Sequence, residues 1–527
     1  MLETALGFRG AFTAPHRAAA LTGRDILNAG GSAIEAMVAA AATIAVAYPH
    51  MNGLGGDAFW IIHRPGRAPV AISGAGRAAA LATVQRYAER GYGAIPVRGP
   101  DAALVVPGAV ATWQAALDLL GGTARFTVPE LMADAIALAR AGVAVTPILE
   151  QTSVAKAAEL APVPGFLAIH QPDGRPLHAG DRFVQPALAG TLERLASAGL
   201  DDFYRGDIAA THGQYLADSD SPLRQDDFAP YRAETGAPLS VKTSAGMLHT
   251  TPPPTQGVAT LMALALFDRL GVTEADGFTH LHGLVEATKR AYSLRNRHVA
   301  DPDFMTEDLR HWLSDTYLDT LAASIDQHRA SPWPEPSSPG DTIWMGASDA
   351  SGMVVSFIQS LYWEYGSGLT CPATGITFEN RGAGFSLKPG PNQLAPGKRP
   401  FHTLNPGLAQ LNDGRVLAFG TQGGEGQPQT MTAIFSRYAQ FGQGLQRAIT
   451  APRWLLGTTW ADVTTTLKLE SRFDPGLVAA LTAAGHVTEV VHDFDPMMGQ
   501  AGAVVHHRNG LMEAATDPRS DGAAIAF

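Results

Sequence analysis

The chain has 527 residues, of which 46% are hydrophobic and 17% charged, so it holds enough apolar material for a large layered core. A formal net charge of −11, without a basic stripe to meet phosphates, argues against binding of nucleic acid. The single cysteine, Cys371, excludes an internal disulfide and a cysteine-based metal site.

The first residues of the chain predict neither export nor membrane insertion. Residues 1–17 lack a charged segment that leads into an apolar one, so we expect no secretory signal and a cytoplasmic location. The longest apolar run, residues 36–48, is too short to span a bilayer and is rich in Ala. It therefore indicates a buried helix.

The predicted elements mix helices with strands. Residues 22–48 predict two helices broken at Gly30-Gly31, followed by a glycine turn at 53–56 and a strand at 58–63. That turn follows a helix rather than a strand, which argues against a dinucleotide-binding fingerprint. Further helical patterns lie at 109–120, 128–141, 187–198, 257–270, 277–293, 429–441 and 475–484. The part after residue 342 is otherwise rich in strands, which predicts an α+β fold.

A Pro/Ser/Gly-rich segment, Ser331 to Asp341, precedes a predicted hairpin. Its composition indicates an exposed, flexible stretch. Two apolar runs then follow, at 343–348 and 353–360, and the turn between them, residues 349–352, has the sequence Asp-Ala-Ser-Gly. The chain therefore places a hydroxyl-bearing residue, Thr342, at the head of a buried hairpin.

Thr342 and the Gly423-Gly424 pair have the layout of an N-terminal nucleophile hydrolase. In such enzymes the chain cuts itself before the Thr, and the freed α-amine, with an unperturbed pKa of roughly 7.7–8.0, acts as base for the Thr hydroxyl. Glycine amides can approach a bound oxygen closely and hold the oxyanion. An Asp-Thr pair is also common in turns and helix caps, so spacing alone leaves both interpretations open.

From Ala14 to the C-terminus the chain resembles the γ-glutamyltransferase family. The resemblance implies a four-layer αββα sandwich, no cofactor, and cleavage between Asp341 and Thr342. The large chain, 1–341, and the small catalytic chain, 342–527, would form a heterodimer, with further dimerisation left open. The matching segments, in family order, are 49–57, 252–257, 280–304, Asp341-Thr342, Lys398-Arg399-Pro400, Gly423-Gly424, Ala451-Pro452-Arg453 and Asp517-Pro518-Arg519-Ser520.

The resemblance also assigns roles to single residues. It implies that Thr342 is the nucleophile and that Gly423 and Gly424 form the oxyanion hole. Ser360 stands where the family has a Thr that contacts the nucleophile, and it keeps the hydroxyl. Tyr362 stands where the family has an Asn that helps hold the α-carboxylate of glutamate.

Other residues differ from those that bind the substrate in the family. Gly384 falls where the family has the acid that pairs with the α-amine of glutamate, and His402-Thr403 replace a pair of serines. In one register of this sequence against the family pattern, the family's carboxylate-binding Arg corresponds to Arg77. Arg381 and His402 are the next candidates for that clamp.

These departures favour an acyl donor with a carboxylate and no amine. An unpaired ammonium in a dry pocket costs several kcal/mol, so a γ-glutamyl donor should bind poorly. The pattern resembles the oxamate amidohydrolase branch of the family, which hydrolyses the small molecule oxamate to oxalate and ammonia. The alternatives are a cephalosporin-acylase-like amidase, a γ-glutamyl hydrolase or transferase acting on glutathione-like donors, and an inactive binding relative.

The histidines predict no metal site. His280 and His282, like the adjacent His506 and His507, lack the i, i+4 helical spacing of a zinc site with a third ligand in view. We expect them to be structural or surface residues.

Overall fold

Two seven-stranded sheets face each other and carry helices on their outer sides. The structure is a computed structural model that describes residues 2–334, 340–457 and 464–527. The strands are β1 (Ala5–Gly7), β2 (Gly10–Ala14), β3 (Asp57–His63), β4 (Val70–Ser73), β5 (Val143–Ala144), β6 (Arg182–Phe183), β7 (Glu234–Gly236), β8 (Leu239–Lys242), β9 (Gly246–Thr250), β10 (Asp341–Asp349), β11 (Val354–Tyr362), β12 (Thr370–Cys371), β13 (Ile376–Thr377), β14 (Gly407–Leu411), β15 (Val416–Thr421), β16 (Trp454–Leu456), β17 (Leu467–Glu470), β18 (Thr488–Val491), β19 (Ala501–His506), β20 (Met512–Thr516) and β21 (Ala523–Ala526).

The helices lie mainly on the two outer faces. They are α1 (Arg17–Asn28), α2 (Ala33–Ala47), α3 (Val84–Glu89), α4 (Ala109–Asp118), α5 (Val128–Ala141), α6 (Pro147–Leu160), α7 (Phe166–His170), α8 (Pro186–Ala198), α9 (Asp202–Arg205), α10 (Asp207–Asp218), α11 (Gln225–Phe228), α12 (Gly257–Arg269), α13 (Phe278–His298), α14 (Leu309–Trp312), α15 (Asp315–Ala323), α16 (Gln427–Phe435), α17 (Leu445–Thr450) and α18 (Pro475–Ala483).

Each large sheet combines strands from the first and last parts of the sequence. One sheet runs β1-β20-β19-β15-β14-β9-β8, and the other runs β21-β2-β10-β11-β3-β4-β7. All neighbours in these two sheets pair antiparallel. Each sheet therefore contains strands from both sides of the Asp341-Thr342 bond.

Three apolar layers hold the sandwich together. Phe59 and Trp344 from one sheet meet Leu408 and Ala418 from the other in the central layer. Helices α1, α2, α5 and α8 cover the outer face of the β10-containing sheet, whereas α12, α13 and α16 cover the other. This α+β arrangement is the four-layer αββα sandwich that the family resemblance implies.

Helix α2 shows why these residues form a buried outer layer. Its Ala-rich sequence favours a helix, and a capping box between Ser32 and Glu35 satisfies the first backbone amides. Every residue of the helix is buried, and it packs against β10 and β11. The break at Gly30, which has φ of 87°, separates it from α1 as predicted.

Most predicted elements are confirmed within one or two residues, including the β10–β11 hairpin. Several helices escaped prediction, and the longest of these are α6 and α10. Helix α6 buries only Leu149, Ser153 and Leu160, so it carries no apolar stripe. The segment predicted as flexible, 331–341, falls partly outside the described residues, at 335–339. No helix in the described ranges is both long and apolar enough to cross a membrane.

Candidate active site

The head of the hairpin brings Thr342 and Ser360 together. The Oγ1 of Thr342 donates a hydrogen bond to the Oγ of Ser360 at 3.1 Å, and the same Oγ accepts one from the amide of Tyr362 at 2.7 Å. The ladder shifts register here, because Asp341 pairs with Tyr362 whereas Ile343 pairs with Gln359. The resulting bulge sets two residues of β11 opposite Thr342, which directs both hydroxyls to one point.

The glycine-rich turn after α2 makes room for this bulge. A Cβ on Gly56 would lie 1.9 Å from the carbonyl oxygen of Ser360, and one on Gly55 would lie 2.1 Å from that of Thr377. Only glycine allows such close approach of two backbones. The turn therefore supports the β3–β11 packing and has a structural role.

The turn at Gly423-Gly424 lies against the residue two positions before Thr342. Gly424 has φ of 50°, and a Cβ there would lie 2.9–3.0 Å from the backbone of Gly340. A Cβ on Gly340 would in turn lie 3.3 Å from the ring of Tyr362. Gly340 thus fills the space between Tyr362 and Gly424.

Gly424→Ala should slow cleavage of the precursor by roughly tenfold or more, because the methyl group meets Gly340 and the left-handed conformation disfavours Ala. The matched control is Gly121→Ala. Gly121 has φ of 55° and nothing within 4 Å of its added Cβ, so that variant carries the backbone strain alone. A time course of fragment formation on a denaturing gel measures both. Equal cleavage rates in Gly424→Ala and Gly121→Ala would show that the contact between Gly424 and Gly340 does not affect cleavage.

A buried polar group fixes the carbonyl side of this turn. The Nε2 of Gln256 donates to the carbonyl oxygens of Gly424, at 2.8 Å, and Thr403, at 2.6 Å. Arg295 donates to the Oε1 of Gln256 at 2.7 Å and forms an ion pair with Glu425. Because these partners are buried, the turn is held rigidly beside Gly340.

Arg381 is the charged group next to the hairpin head. Its Nε donates to the Oδ2 of Asp57 and its Nη1 to the Oγ1 of Thr403, each at 3.0 Å. The guanidinium carbon lies 4.0 Å from the ring centroid of Tyr362, a cation–π distance. Its Nη2 makes no hydrogen bond within the described part of the chain, although Arg381 is fully buried.

Tyr362 has an unusual backbone that suits this contact. Its φ is 82°, a left-handed value that costs a bulky residue free energy. This conformation directly follows the bulge at Ser360 and sets the ring between Arg381 and Gly340. The strain is thus stored beside Gly340 and Arg381.

Asp57 balances the charge of Arg381, and His402 contacts Asp57. Burial alone raises the pKa of the Asp57 carboxyl, but Arg381 and His402 outweigh it and hold this pKa well below its usual range. The Nε2 of His402 lies 2.5 Å from the Oδ2 of Asp57. Burial, together with Arg381, lowers the pKa of His402 to about 4 despite Asp57. A neutral imidazole therefore donates to the ionised Asp57.

Arg77, the predicted carboxylate clamp, has partners other than the residues at the hairpin head. Its guanidinium pairs with Glu234 at 2.9 Å and donates to the carbonyl of Gly397 at 3.0 Å, with 42% of the side chain exposed. It lines an open cavity of about 680 Å³ together with Tyr231 and Pro396. None of these contacts joins it to Thr342 or Ser360, so its contacts give the clamp prediction no support.

The other predicted residues form one connected buried group: Thr342, Ser360, Tyr362, Arg381, His402, Thr403 and Gly424, with Gly423 beside it. Sequence reasoning missed four members of it: Asp57, Gln256, Arg295 and Glu379. Asp57 is the last residue of the matching segment 49–57, and Gln256 lies within the matching segment 252–257. Membership of these two segments was the signal that could have identified them.

Among the described residues, His282, Glu286 and His486 bring possible metal-ligand atoms within 4.8 Å of one another. The Nδ1 of His282 and the Nε2 of His486 are hydrogen-bonded at 2.9 Å, and Lys289 donates to Glu286 at 2.7 Å. The ammonium group next to Glu286 opposes a bound cation. The expectation of no metal stays a prediction.

Comparison with known proteins agrees with the fold. The family model described as Gamma-glutamyltranspeptidase matches residues 19–527. The chain is 50% identical over 523 residues to an oxamate amidohydrolase proenzyme of Klebsiella pneumoniae, covering 98% of each chain, and 38% identical to a glutathione hydrolase-like proenzyme (YwrD) of Bacillus subtilis, covering 100% of each. The crystal structure of a cephalosporin acylase from Bacillus halodurans superposes with a TM-score of 0.93 at 30% identity, covering 100% of this chain and 97% of the other. The chain belongs to the gamma-glutamyltranspeptidase family and has the N-terminal nucleophile hydrolase fold.

Proposed function

We propose that the protein is a self-processing amidohydrolase that uses Thr342 as nucleophile and hydrolyses oxamate to oxalate and ammonia. The observation that carries this proposal is the buried guanidinium of Arg381 beside the hairpin head, with Nη2 free of hydrogen bonds to the described residues. A buried donor without a partner favours a ligand that supplies one. The 50% identity to an oxamate amidohydrolase proenzyme supports the same substrate.

In the first step the precursor cuts itself. The Oγ1 of Thr342 attacks the carbonyl carbon of Asp341, and its proton leaves along the hydrogen bond to Ser360. The C–N bond breaks and the nitrogen takes up a proton, which leaves an ester between the two residues. Water hydrolyses the ester and yields the Asp341 carboxylate and a Thr342 with a free α-amine. The large chain, 1–341, and the small chain, 342–527, stay together as a heterodimer.

In the second step the freed amine serves as base. It takes the proton of the Thr342 hydroxyl, whose oxygen attacks the amide carbon of oxamate. The amides of Gly423 and Gly424 are the proposed donors to the resulting oxyanion. The C–N bond breaks, ammonia leaves, and water hydrolyses the oxalyl ester to oxalate and the free hydroxyl. No cofactor takes part.

The carboxylate of oxamate is assigned to Arg381. Thr403 and Asp57 fix the guanidinium from one side, and Tyr362 lies under its face. A planar guanidinium binds a carboxylate through paired hydrogen bonds, so it orients the neighbouring amide toward Thr342. Gly384 offers no acid for an α-amine, which disfavours γ-glutamyl donors.

A substrate panel tests the proposal. Ammonia release should be rapid with oxamate and at least about tenfold slower in kcat/KM with γ-glutamyl-p-nitroanilide, because the unmatched ammonium loses water without gaining a partner. The Thr342→Ala protein is the blank for each substrate. Vigorous γ-glutamyl turnover with none on oxamate would overturn the assignment.

An amidase with a longer carboxylated acyl donor is the second candidate. The superposition on a cephalosporin acylase at a TM-score of 0.93 favours it. Tyr362 and Arg381 lie close to the head of the β10–β11 hairpin, so they limit the space for a long acyl chain. Glutaryl-p-nitroanilide in the same panel separates the two, since preference for it over oxamate would support the longer donor.

A further inference from the structure

A second buried carboxyl group, Glu379, lies behind Arg381 and has no role in the proposed reaction. Its side chain is within hydrogen-bonding reach of Asp57, and both residues are fully buried. The Oδ1 of Asp57 and both Oε atoms of Glu379 receive no hydrogen bond from the residues that the structure describes. Two facing carboxyl groups without donors satisfy each other only if one proton lies between them.

The charges around Glu379 favour this shared proton. Burial raises the pKa of the Glu379 carboxyl well above its usual range, the charge of Asp57 raises it further, and Arg381 opposes them. Tyr204 and Tyr231 are the other titratable groups that face it, and burial raises the pKa of both phenols, so they add no charge. His402 faces Asp57 as a neutral ring.

We propose that Glu379 is a positioning residue whose proton, shared with Asp57, keeps the pocket around Arg381 free of a second negative charge. The part that concerns substrate rests on the proposed function. With this proton present, Asp57 alone balances the guanidinium, so an incoming carboxylate meets no excess negative charge. The proton also fixes Asp57, which in turn orients the Nε of Arg381 at 3.0 Å.

Loss of the proton should weaken substrate binding. An ionised Glu379 would add a full negative charge behind Arg381, and like charges a few Å apart in a protein interior repel each other strongly. Oxamate binding then requires the protonated form. KM should rise about tenfold for each pH unit above the pKa of Glu379, with a smaller change in kcat.

Glu379→Gln tests this linkage. The amide keeps the shape and the donor but cannot ionise, so its KM should stay level across the alkaline range in which the wild-type KM rises. Glu274→Gln, at an exposed position, is the matched control and should follow the wild type. Parallel profiles for wild type and Glu379→Gln, or a wild-type KM that stays level until the protein unfolds, would overturn the proposal.

Infrared spectroscopy tests the shared proton without any substrate. The wild-type protein at neutral pH should have the C=O band of a protonated carboxylic acid, and Glu379→Gln should lack it. Asp57→Asn removes the like charge and leaves Arg381 in need of an anion, so Glu379 should ionise and the band should vanish there too. Absence of the band from the wild type would overturn the proposal. A band in a protein that does not hydrolyse oxamate would refute the proposed function and leave the carboxyl pair standing.

Discussion

Thr342→Ala is expected to remain one chain of 527 residues and to release no ammonia from oxamate. The wild type should give chains of 341 and 186 residues, the two parts of the 527 on either side of the Asp341-Thr342 bond. The reason is that one hydroxyl serves both reactions, and the Oγ of Ser360, which accepts its hydrogen bond at 3.1 Å, cannot replace it as nucleophile. A denaturing gel and an ammonia assay measure the two effects.

Thr342→Ser is the control for this result. It keeps the oxygen and loses one methyl group, so it should still cleave and turn over, at reduced rates. A cleaved and active Thr342→Ala protein would refute the nucleophile assignment. Mass spectrometry of the small chain then locates the true cleavage point.

Arg381→Lys should lower kcat/KM for oxamate by roughly 30- to 150-fold, which corresponds to about 2–3 kcal/mol for a lost charge-assisted hydrogen bond. The guanidinium meets Asp57, Thr403 and the ring of Tyr362 at once. An ammonium is a point charge and cannot keep all three contacts while also holding a carboxylate through two bonds. Steady-state kinetics measures the loss, and completed precursor cleavage verifies that the variant folds.

Arg77→Lys is the matched control, because it makes the same change in an arginine that pairs with Glu234 at the surface. Exposed pairs contribute little, so its kcat/KM should fall by less than about threefold. The reverse outcome is a large loss of kcat/KM in Arg77→Lys and none in Arg381→Lys. It would assign the binding of the substrate carboxylate to Arg77, as the family resemblance favours.

Local patterns were sufficient to predict the hairpin and most of the longer helices. The turn residues at 349–352 sit between two apolar runs, and the structure has β10 and β11 at these places. Helix α5 ends at Ala141 as predicted, because Gly142 takes φ of 89° and stops it. Elements whose exposed residues outnumber the buried ones, such as α6, gave no periodic signal.

The environment of the site could not be predicted from local patterns, because its contacts join distant parts of the chain. Asp57 meets Arg381 across 324 positions and His402 across 345. No spacing rule connects such residues, and only the closed sandwich reveals that Glu379 faces Asp57 rather than substrate. For the same reason the sequence favoured Arg77, whose partner Glu234 becomes visible only when β4 and β7 pair.

The interleaving of strands from both sides of Asp341-Thr342 in each large sheet has a consequence for the processed protein. Strands β10 and β11 lie between β2 and β3, so neither product of cleavage has a complete sheet of its own. Dilution should therefore not release free subunits, because dissociation would expose unpaired strand edges and apolar core residues on both chains. Denaturation of the cut protein becomes a bimolecular equilibrium, and its midpoint should rise with protein concentration, whereas that of uncut Thr342→Ala should not.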